Sequence, residues 1–158
     1  MASVELEKLI QLKDEIREDK GDARVKALIA CHNLSCATEK KVMMASAELG
    51  LLTLLVDVIR EDKGDARVKA LGICRNLSCA TDNRVMMASA ELGLLVLLVD
   101  VIREDKGDAR VKALGVCQNL SCATENKRML VSAELGLLVL LVDAIREDKG
   151  DARVKALG

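Results

Sequence analysis

The stretch IREDKGDARVKAL begins at Ile16 and is repeated letter for letter from Ile59, Ile102 and Ile145, an interval of 43 residues. Each copy holds a glycine between charged residues, with apolar residues on either side of the charged segment. Glycine ends helices readily because it adopts left-handed backbone conformations, and aspartate is favoured at helix starts. The stretch therefore predicts a helix end, a tight turn and a helix start in every repeat, with its charged side chains exposed to solvent.

The complete unit from Thr81 to Ala123 predicts three helices. The first segment, TDNRVMMASAEL, has Thr81 as its predicted N-cap and ends at Gly93. The second, LLVLLVDVIREDK, is apolar on nearly every side, which is typical of a buried helix. The third, ARVKALGVCQNLSCA, follows Gly107 with Asp108 as its predicted cap. Such a unit cannot bury its own apolar faces, so we expect it to stack against its neighbours.

The repeated unit predicts an all-α fold, an α-solenoid of stacked three-helix repeats. Strand-like alternation never lasts more than a few residues, and glycines interrupt any seven-residue pattern, which excludes a β fold and a coiled coil. We predict a single solenoid domain over residues 1–158. It divides into an N-terminal capping partial repeat (1–37), two full repeats (38–80 and 81–123) and a truncated C-terminal repeat (124–158).

Composition limits the classes of partner. The 158 residues include 24 basic and 25 acidic side chains, which gives a formal net charge of −1. This balance gives no reason to expect nucleic acid as a partner, and the apolar run LLVLLV is far too short to span a bilayer. The chain has no proline and no aromatic residue, so the stacking surfaces that bind single-stranded nucleic acid are missing. The opening residues indicate no signal peptide.

Six cysteines occur as pairs five residues apart: Cys31 and Cys36, Cys74 and Cys79, Cys117 and Cys122. Five residues turn a helix through roughly 140°, so the two thiols of a pair diverge, and equivalent thiols in stacked repeats should lie about 10 Å apart. Neither disulfides nor a zinc site of C-x-x-C spacing is expected. We predict buried, reduced thiols and, for a natural protein, a reducing cytoplasmic location.

Two helices of the repeat resemble those of the armadillo family. The second helix of that family typically opens with Gly-x-x-Pro-x-Leu-Val, and GLLVLLV keeps Gly93 and the final Leu-Val, with Val96 in place of proline. The third helix typically carries Ala-Leu-Trp-x-x-x-Asn-Leu/Ile, and ALGICRNL keeps Asn76, with Gly72 in place of tryptophan. HEAT repeats have similar periods but usually two helices per unit, so the short first helix and the asparagine favour armadillo.

The resemblance implies a right-handed superhelix whose third helices line a concave groove for an extended peptide. In the family a ladder of asparagines hydrogen-bonds the peptide backbone, and the matching residues are Asn33, Asn76 and Asn119. An amide supplies both a donor and an acceptor, so one side chain can bind a peptide unit reciprocally. The tryptophans that normally flank the ladder are missing, which removes rigid aromatic walls from the groove.

Helical geometry gives an independent view of this face. At 100° per residue, Lys69, Gly72, Asn76 and Cys79 lie within roughly 80° of each other, and the apolar residues lie opposite. The lysine recurs in all four copies, as Lys26, Lys69, Lys112 and Lys155. This line of positive charge predicts that a groove ligand is an extended, acidic peptide. In the alternative, the asparagine is buried and bonds local backbone, while the lysine is only solvated.

No catalytic or cofactor-binding pattern is found in the sequence. It contains no glycine-rich phosphate loop, no H-E-x-x-H and no G-x-S-x-G. Cys31 and His32, the one histidine, are adjacent and therefore point about 100° apart on a helix, which disfavours a Cys/His nucleophile. We expect no enzyme activity, no cofactor and no metal site.

Two functions are compatible with these features. One is an engineered or consensus repeat scaffold for protein or peptide interaction and assembly. The other is a natural armadillo-type module that binds an extended acidic peptide in its groove. Identity between repeats extends to exposed turn residues, which tolerate change, and this favours design or very recent duplication. The six cysteines argue against design, but we favour the scaffold.

The two ends of the chain predict different behaviour. Lys8, Gln11 and Glu15 stand where the next repeat has apolar residues, on one face of a helix, and predict a polar N-terminal cap. At the other end the third helix is short, so the leucines of GLLVLLVDAI (136–145) are predicted to be incompletely covered.

The incompletely covered patch predicts self-association through the C-terminal end, most simply as a two-fold dimer in which the patch meets itself. Sedimentation at micromolar concentration measures this, and we expect a dimer. Appending a polar-capped third helix after Gly158 should give a monomer of unchanged helicity. A monomeric parent chain would contradict the prediction.

Overall fold

The computed structural model describes residues 2–130, and the regular elements in this range are all helices. The α-helices are α1 (Ala2–Glu18), α2 (Asp22–Ser35), α3 (Lys41–Met44), α4 (Leu51–Glu61), α5 (Asp65–Leu77), α6 (Arg84–Met87), α7 (Leu94–Glu104), α8 (Asp108–Leu120) and α9 (Thr124–Leu130). Short 3-10 helices, Thr38–Lys40 and Thr81–Asn83, lead directly into α3 and α6. No strand occurs between residues 2 and 130, and the predicted all-α class is confirmed.

The long helices form two layers. In one layer α2, α5 and α8 pack side by side. In the other layer, α4 packs against both α1 and α7. Each of these three helices also packs against the helix that follows it in the first layer: α1 against α2, α4 against α5 and α7 against α8. The short helix α3 packs on α5, and the short helix α6 packs on α8. Each unit thus completes the core of its neighbour, as in a solenoid.

Glycine sets the start of the second helix in each full repeat. Gly50 and Gly93 adopt the left-handed conformation, with φ of 73° and 76°, immediately before α4 and α7. Residues other than glycine adopt this conformation only at a cost, which explains glycine at this point. The first helix of the repeat was predicted to continue to Gly93, but α6 already ends at Met87.

The structure corrects the two predicted N-caps. Thr81 lies inside a 3-10 helix that follows Ala80, and it makes no capping hydrogen bond through its side chain. Asp108 is the first residue of α8, and the capping position is occupied by Gly107. An aspartate in the first turn still interacts favourably with the helix dipole, which accounts for its place in the repeated stretch.

The second helices lie at the centre of the core. In α7 every residue from Leu94 to Ile102 is buried except Val96 and the half-buried Asp100, so the predicted burial is confirmed. Val96, at 59% exposure, stands where the armadillo pattern has proline. The core residues predicted for α5 are all fully buried: Ala70, Ile73, Cys74 and Leu77.

A buried arginine corrects the prediction that the charged stretch is solvated. Arg67, in the first turn of α5, is only 2% exposed. Its Nε donates to the carbonyl oxygen of Ile59 at 2.8 Å, and its Nη1 donates to Asp105 Oδ2 of the next repeat at 2.8 Å. The guanidinium therefore binds the end of α4 and the following repeat at once.

The same contacts recur along the stack. Arg24 Nε donates to the carbonyl oxygen of Ile16, and its Nη1 donates to Asp62 Oδ2, both at 2.8 Å. Arg110 Nε donates to the carbonyl oxygen of Ile102 at 2.9 Å. The repeated letters of IREDKGDARVKAL thus encode a connection between repeats as well as a turn.

The helix α1 presents the polar side that the sequence predicts. Lys8 and Gln11 are exposed, and Glu15 is half-buried. The opposite side of the helix is buried through Leu9, Leu12 and Ile16. The capping role of this segment and the division into repeats stay predictions. The apolar stretch 136–145 and the self-association predicted from it lie outside the described residues.

Replacing Arg67 with methionine removes both of its contacts and leaves the Ile59 carbonyl oxygen without this donor. We expect the free energy of unfolding to fall by about 2–4 kcal/mol, because losing the partner of a buried polar group costs more than the hydrogen bond itself. Urea unfolding followed by circular dichroism measures this loss.

The matched control for Arg67→Met is Arg60→Met. Arg60 pairs with Asp57 on the surface, where both side chains are at least half exposed, and the pair should contribute about 0.5 kcal/mol or less. Equal losses in the two variants would contradict the structural role of Arg67.

Candidate functional site

The predicted peptide-binding residues all lie on the layer formed by α2, α5 and α8: Asn33, Asn76, Asn119, Lys26, Lys69 and Lys112. Because these helices pack side by side, equivalent residues follow one another along the stack. Lys26 and Asn33 are exposed, and their equivalents in the next two helices are half-buried. The residues thus form a row of asparagines and a row of lysines.

Each asparagine on α5 and α8 is hydrogen-bonded to the preceding repeat. Asn76 Nδ2 donates to Ser35 Oγ, and Asn119 Nδ2 donates to Ser78 Oγ, both at 2.9 Å. The hydroxyl of Ser35 donates its one proton to the carbonyl oxygen of His32 at 2.6 Å, so it can only accept from the amide. This arrangement fixes the amide orientation, with Nδ2 towards the preceding repeat.

The donor groups of these amides are therefore already used within the protein. Asn119 Nδ2 also donates to the carbonyl oxygen of Arg75 at 3.2 Å, and Asn76 Nδ2 lies 3.4 Å from His32 Nε2. Between residues 2 and 130, no donor forms a hydrogen bond with the Oδ1 atom of either asparagine. Each of these two asparagines therefore keeps its Oδ1 atom as an open acceptor, whereas the sequence predicted that both a donor and an acceptor would be available.

Glycine at the tryptophan position lets a side chain of the preceding repeat lie against the third helix. A Cβ on Gly72 would lie 3.0 Å from His32 Cδ2, and a Cβ on Gly115 would lie 2.9 Å from Arg75 Nε. At contacts this short, a larger residue at either glycine would require the His32 or Arg75 side chain to move. The side chains of His32 and Arg75, each directly before an asparagine, thus lie over Gly72 and Gly115, the positions where the armadillo pattern has tryptophan.

The position directly before the asparagine was not among the predicted site residues. It differs between repeats that are otherwise nearly identical, being His32, Arg75 and Gln118. Within the third helix the other polar residues are the same in all three copies, and variation at this one polar position beside the asparagine is the signal that could have identified it. Burial, followed by the charges of Lys112 and Lys69, lowers the pKa of His32, so its ring is neutral near pH 7.

A second row of asparagines, also missed, is buried and structural. Asn83, at 2% exposure, donates through Nδ2 to the carbonyl oxygens of Leu77 at 2.9 Å and Lys41 at 3.0 Å. Asn126 makes the equivalent contacts one repeat later. Each amide joins the end of a third helix, α5 or α8, to the short helix of the same repeat, α3 or α6, and both side chains are buried.

The prediction of buried cysteines is correct for only one member of each pair. The thiols of Cys31, Cys74 and Cys117 are buried, and those of Cys36, Cys79 and Cys122 are exposed. Burial raises the pKa of Cys31, Cys74 and Cys117 to about 12, so these thiols stay protonated at neutral pH. Cys31 is therefore not an activated nucleophile beside His32.

The remaining features of the described range lie apart from the asparagine row. Within residues 2–130, no three His, Cys, Asp or Glu side chains are placed to hold a metal ion, and no helix there has the length and hydropathy to span a membrane. A cleft of about 320 Å³ lies between the turns before α4 and α7, lined by residues such as Ala47, Gly50 and Ser89. None of its lining residues belongs to α2, α5 or α8.

Solved structures with a similar arrangement of helices include designed armadillo repeat proteins. A designed armadillo repeat protein in complex with the peptide (KR)4 matches with a TM-score of 0.83 at 18% identity, over 94% of this chain and 61% of the other. A computationally designed armadillo repeat protein for modular peptide recognition gives a TM-score of 0.80 at 20% identity, over 94% and 61%. An engineered protein from a structural genomics consortium gives 0.83 at 18% identity, over 94% and 60%.

The chain spans about three fifths of the length of these structures. No protein-family model matches the sequence, and no curated protein is significantly similar to it. At identities of 18% and 20% the similarity concerns the fold and not individual side chains. The chain therefore has the armadillo repeat fold, as the resemblance in its sequence predicts.

Proposed function

We propose that this chain is a non-enzymatic repeat scaffold that binds an extended, acidic peptide along the face of α2, α5 and α8. The observation that carries the proposal is the position of Asn76 and Asn119, whose Oδ1 atoms are left open at equivalent places on successive helices. An extended peptide exposes N–H groups at regular intervals, and a regular row of acceptors complements them.

The acidic character of the peptide is argued from the lysine row. Among the described residues, Lys26, Lys69 and Lys112 form no ion pair, whereas Lys40 pairs with Glu5 at 3.5 Å and Lys63 with Glu104 at 3.6 Å. A peptide with aspartate or glutamate side chains would supply the missing countercharge. Such complementarity sets specificity and association rate more than affinity.

Two structural neighbours support peptide binding as the class of function. One is described in complex with (KR)4 and another as designed for modular peptide recognition. The peptide (KR)4 is basic, whereas the lysines of the present chain favour carboxylates. At 18% identity the charge of the face depends on this chain's own residues.

For the origin of the chain, an engineered or consensus scaffold is the first candidate. Identity of the repeats in an exposed turn supports it, and the neighbours compared above are themselves designed or engineered. The second candidate is a natural armadillo-type module with the same groove. Its free thiols would then fit a reducing compartment. Self-association through the C-terminal end remains part of the proposal and is independent of the peptide-binding face.

Fluorescence anisotropy with labelled, end-blocked (Ser-Glu)4 and (Ser-Lys)4 peptides tests the proposal. We expect the acidic peptide to bind and the basic peptide to bind more weakly. Lys69→Glu reverses a charge at the centre of the face and should weaken binding of the acidic peptide by about tenfold, since it replaces attraction with repulsion.

The matched control is Lys63→Glu. Lys63 lies in the turn before α5, where it pairs with Glu104, so its reversal should change the affinity by less than about twofold. Equal or stronger binding of the basic peptide would contradict the proposal, and so would equal effects of the two substitutions.

A further inference from the structure

Side chains from three successive repeats converge on Gly72. A Cβ at this position would lie 3.0 Å from Cδ2 and 3.2 Å from Nε2 of the His32 ring, and 3.7 Å from Lys112 Cδ. Lys69 stands one helical turn before Gly72 on the same face of α5. The imidazole comes from α2 and the ammonium groups from α5 and α8, so the cluster exists only in the stacked chain.

We propose that His32, Lys69 and Lys112 form a carboxylate-binding subsite over Gly72, which takes one aspartate or glutamate side chain of the bound peptide and strengthens as His32 becomes protonated. The proposal rests on the proposed peptide-binding function and adds a position, a ligand group and a pH dependence to it.

The surroundings of the His32 ring favour an anion as the missing partner. Lys69 on α5 and Lys112 on α8 are the charged groups that act on the ring, and burial together with these two charges lowers the pKa of His32. On α2 itself, the thiol of Cys36 lies 3.6 Å from the His32 carbonyl oxygen. Among the described residues, no carboxylate forms an ion pair with His32, Lys69 or Lys112.

The neighbouring amide fixes how the ring responds to protonation. Asn76 Nδ2 lies 3.4 Å from His32 Nε2, and the Asn76 amide is oriented with its donor towards the preceding repeat. A neutral ring can accept from this donor at Nε2, whereas an imidazolium carries a proton there and cannot. A carboxylate bound over Gly72 would accept a hydrogen bond from the protonated Nε2. A bound carboxylate therefore favours the protonated ring.

The sign of the pH effect follows from this preference. A bound carboxylate opposes the charges of Lys112 and Lys69, and it therefore raises the pKa of His32 from its lowered value. A ligand that raises a pKa binds more tightly as the pH falls, and the gain is complete below the pKa of the free protein. Each unit of increase corresponds to about tenfold in affinity.

The next repeat supplies a version of the subsite that does not titrate. Arg75 stands at the position of His32, and a Cβ on Gly115 would lie 2.9 Å from Arg75 Nε and 3.0 Å from Arg75 Cδ. Arginine stays protonated throughout the physiological pH range. His32→Arg therefore copies this second subsite into the first, and His32→Gln copies the neutral residue found at Gln118.

The experiment measures binding of end-blocked (Ser-Glu)4 at pH 5.5 and pH 8.0 at constant ionic strength. For the unmodified chain we expect binding about three- to tenfold tighter at pH 5.5. His32→Arg should bind tightly at both values, and His32→Gln should bind weakly at both. Circular dichroism tests whether both variants keep the helical content of the parent chain.

A second measurement reads the protonation directly. His32 is the one histidine of the chain, so its ring signals in an NMR pH titration are unambiguous. Saturating (Ser-Glu)4 should raise its pKa. An unchanged or lowered pKa would overturn the subsite, and so would an equal pH dependence in His32→Gln. Peptide binding without either effect overturns the subsite alone, whereas no binding at either pH overturns the proposed function with it.

Discussion

Arg67 donates to the carbonyl oxygen of Ile59 and to the carboxylate of Asp105 in the following repeat, and it does so almost fully excluded from water. A buried guanidinium that lost these acceptors would destabilise the fold by several kcal/mol, on the order of 3–5. The contact therefore restricts how one repeat can sit on the next, in addition to stabilising the pair. The alignment of α2, α5 and α8 into one layer follows from this restriction.

The alignment of these helices determines what the face can offer to a ligand. Ser35 Oγ accepts a hydrogen bond from Nδ2 of Asn76 in the next repeat. The Oδ1 atom of Asn76 therefore points away from this contact. Gly72 takes the place of a tryptophan, so the His32 ring can lie across the repeat boundary. Several polar side chains of the face, such as Asn76 and His32, thus contact a neighbouring repeat, and the geometry of the face depends on correct stacking.

The sequence predicts the helices well because glycine and apolar positions act locally, as at Gly93 and along α7. It did not predict the burial of Arg67, since one acceptor lies 38 residues away and comes close only in the stacked chain. The contact of Ser35 with Asn76 was missed for the same reason. The exposure of Cys79 could have been predicted, because helical periodicity places it beside Asn76, but the general tendency of cysteine to be buried was given more weight.

We propose that a peptide binds on the face of α2, α5 and α8. The most direct test is a two-dimensional NMR titration of the isotopically labelled chain with (Ser-Glu)4. We expect the largest shifts on the side-chain amides of Asn76 and Asn119 and on the backbone of these three helices. Shifts confined to α4 and α7, or to the cleft lined by Ala47 and Ser89, would contradict it.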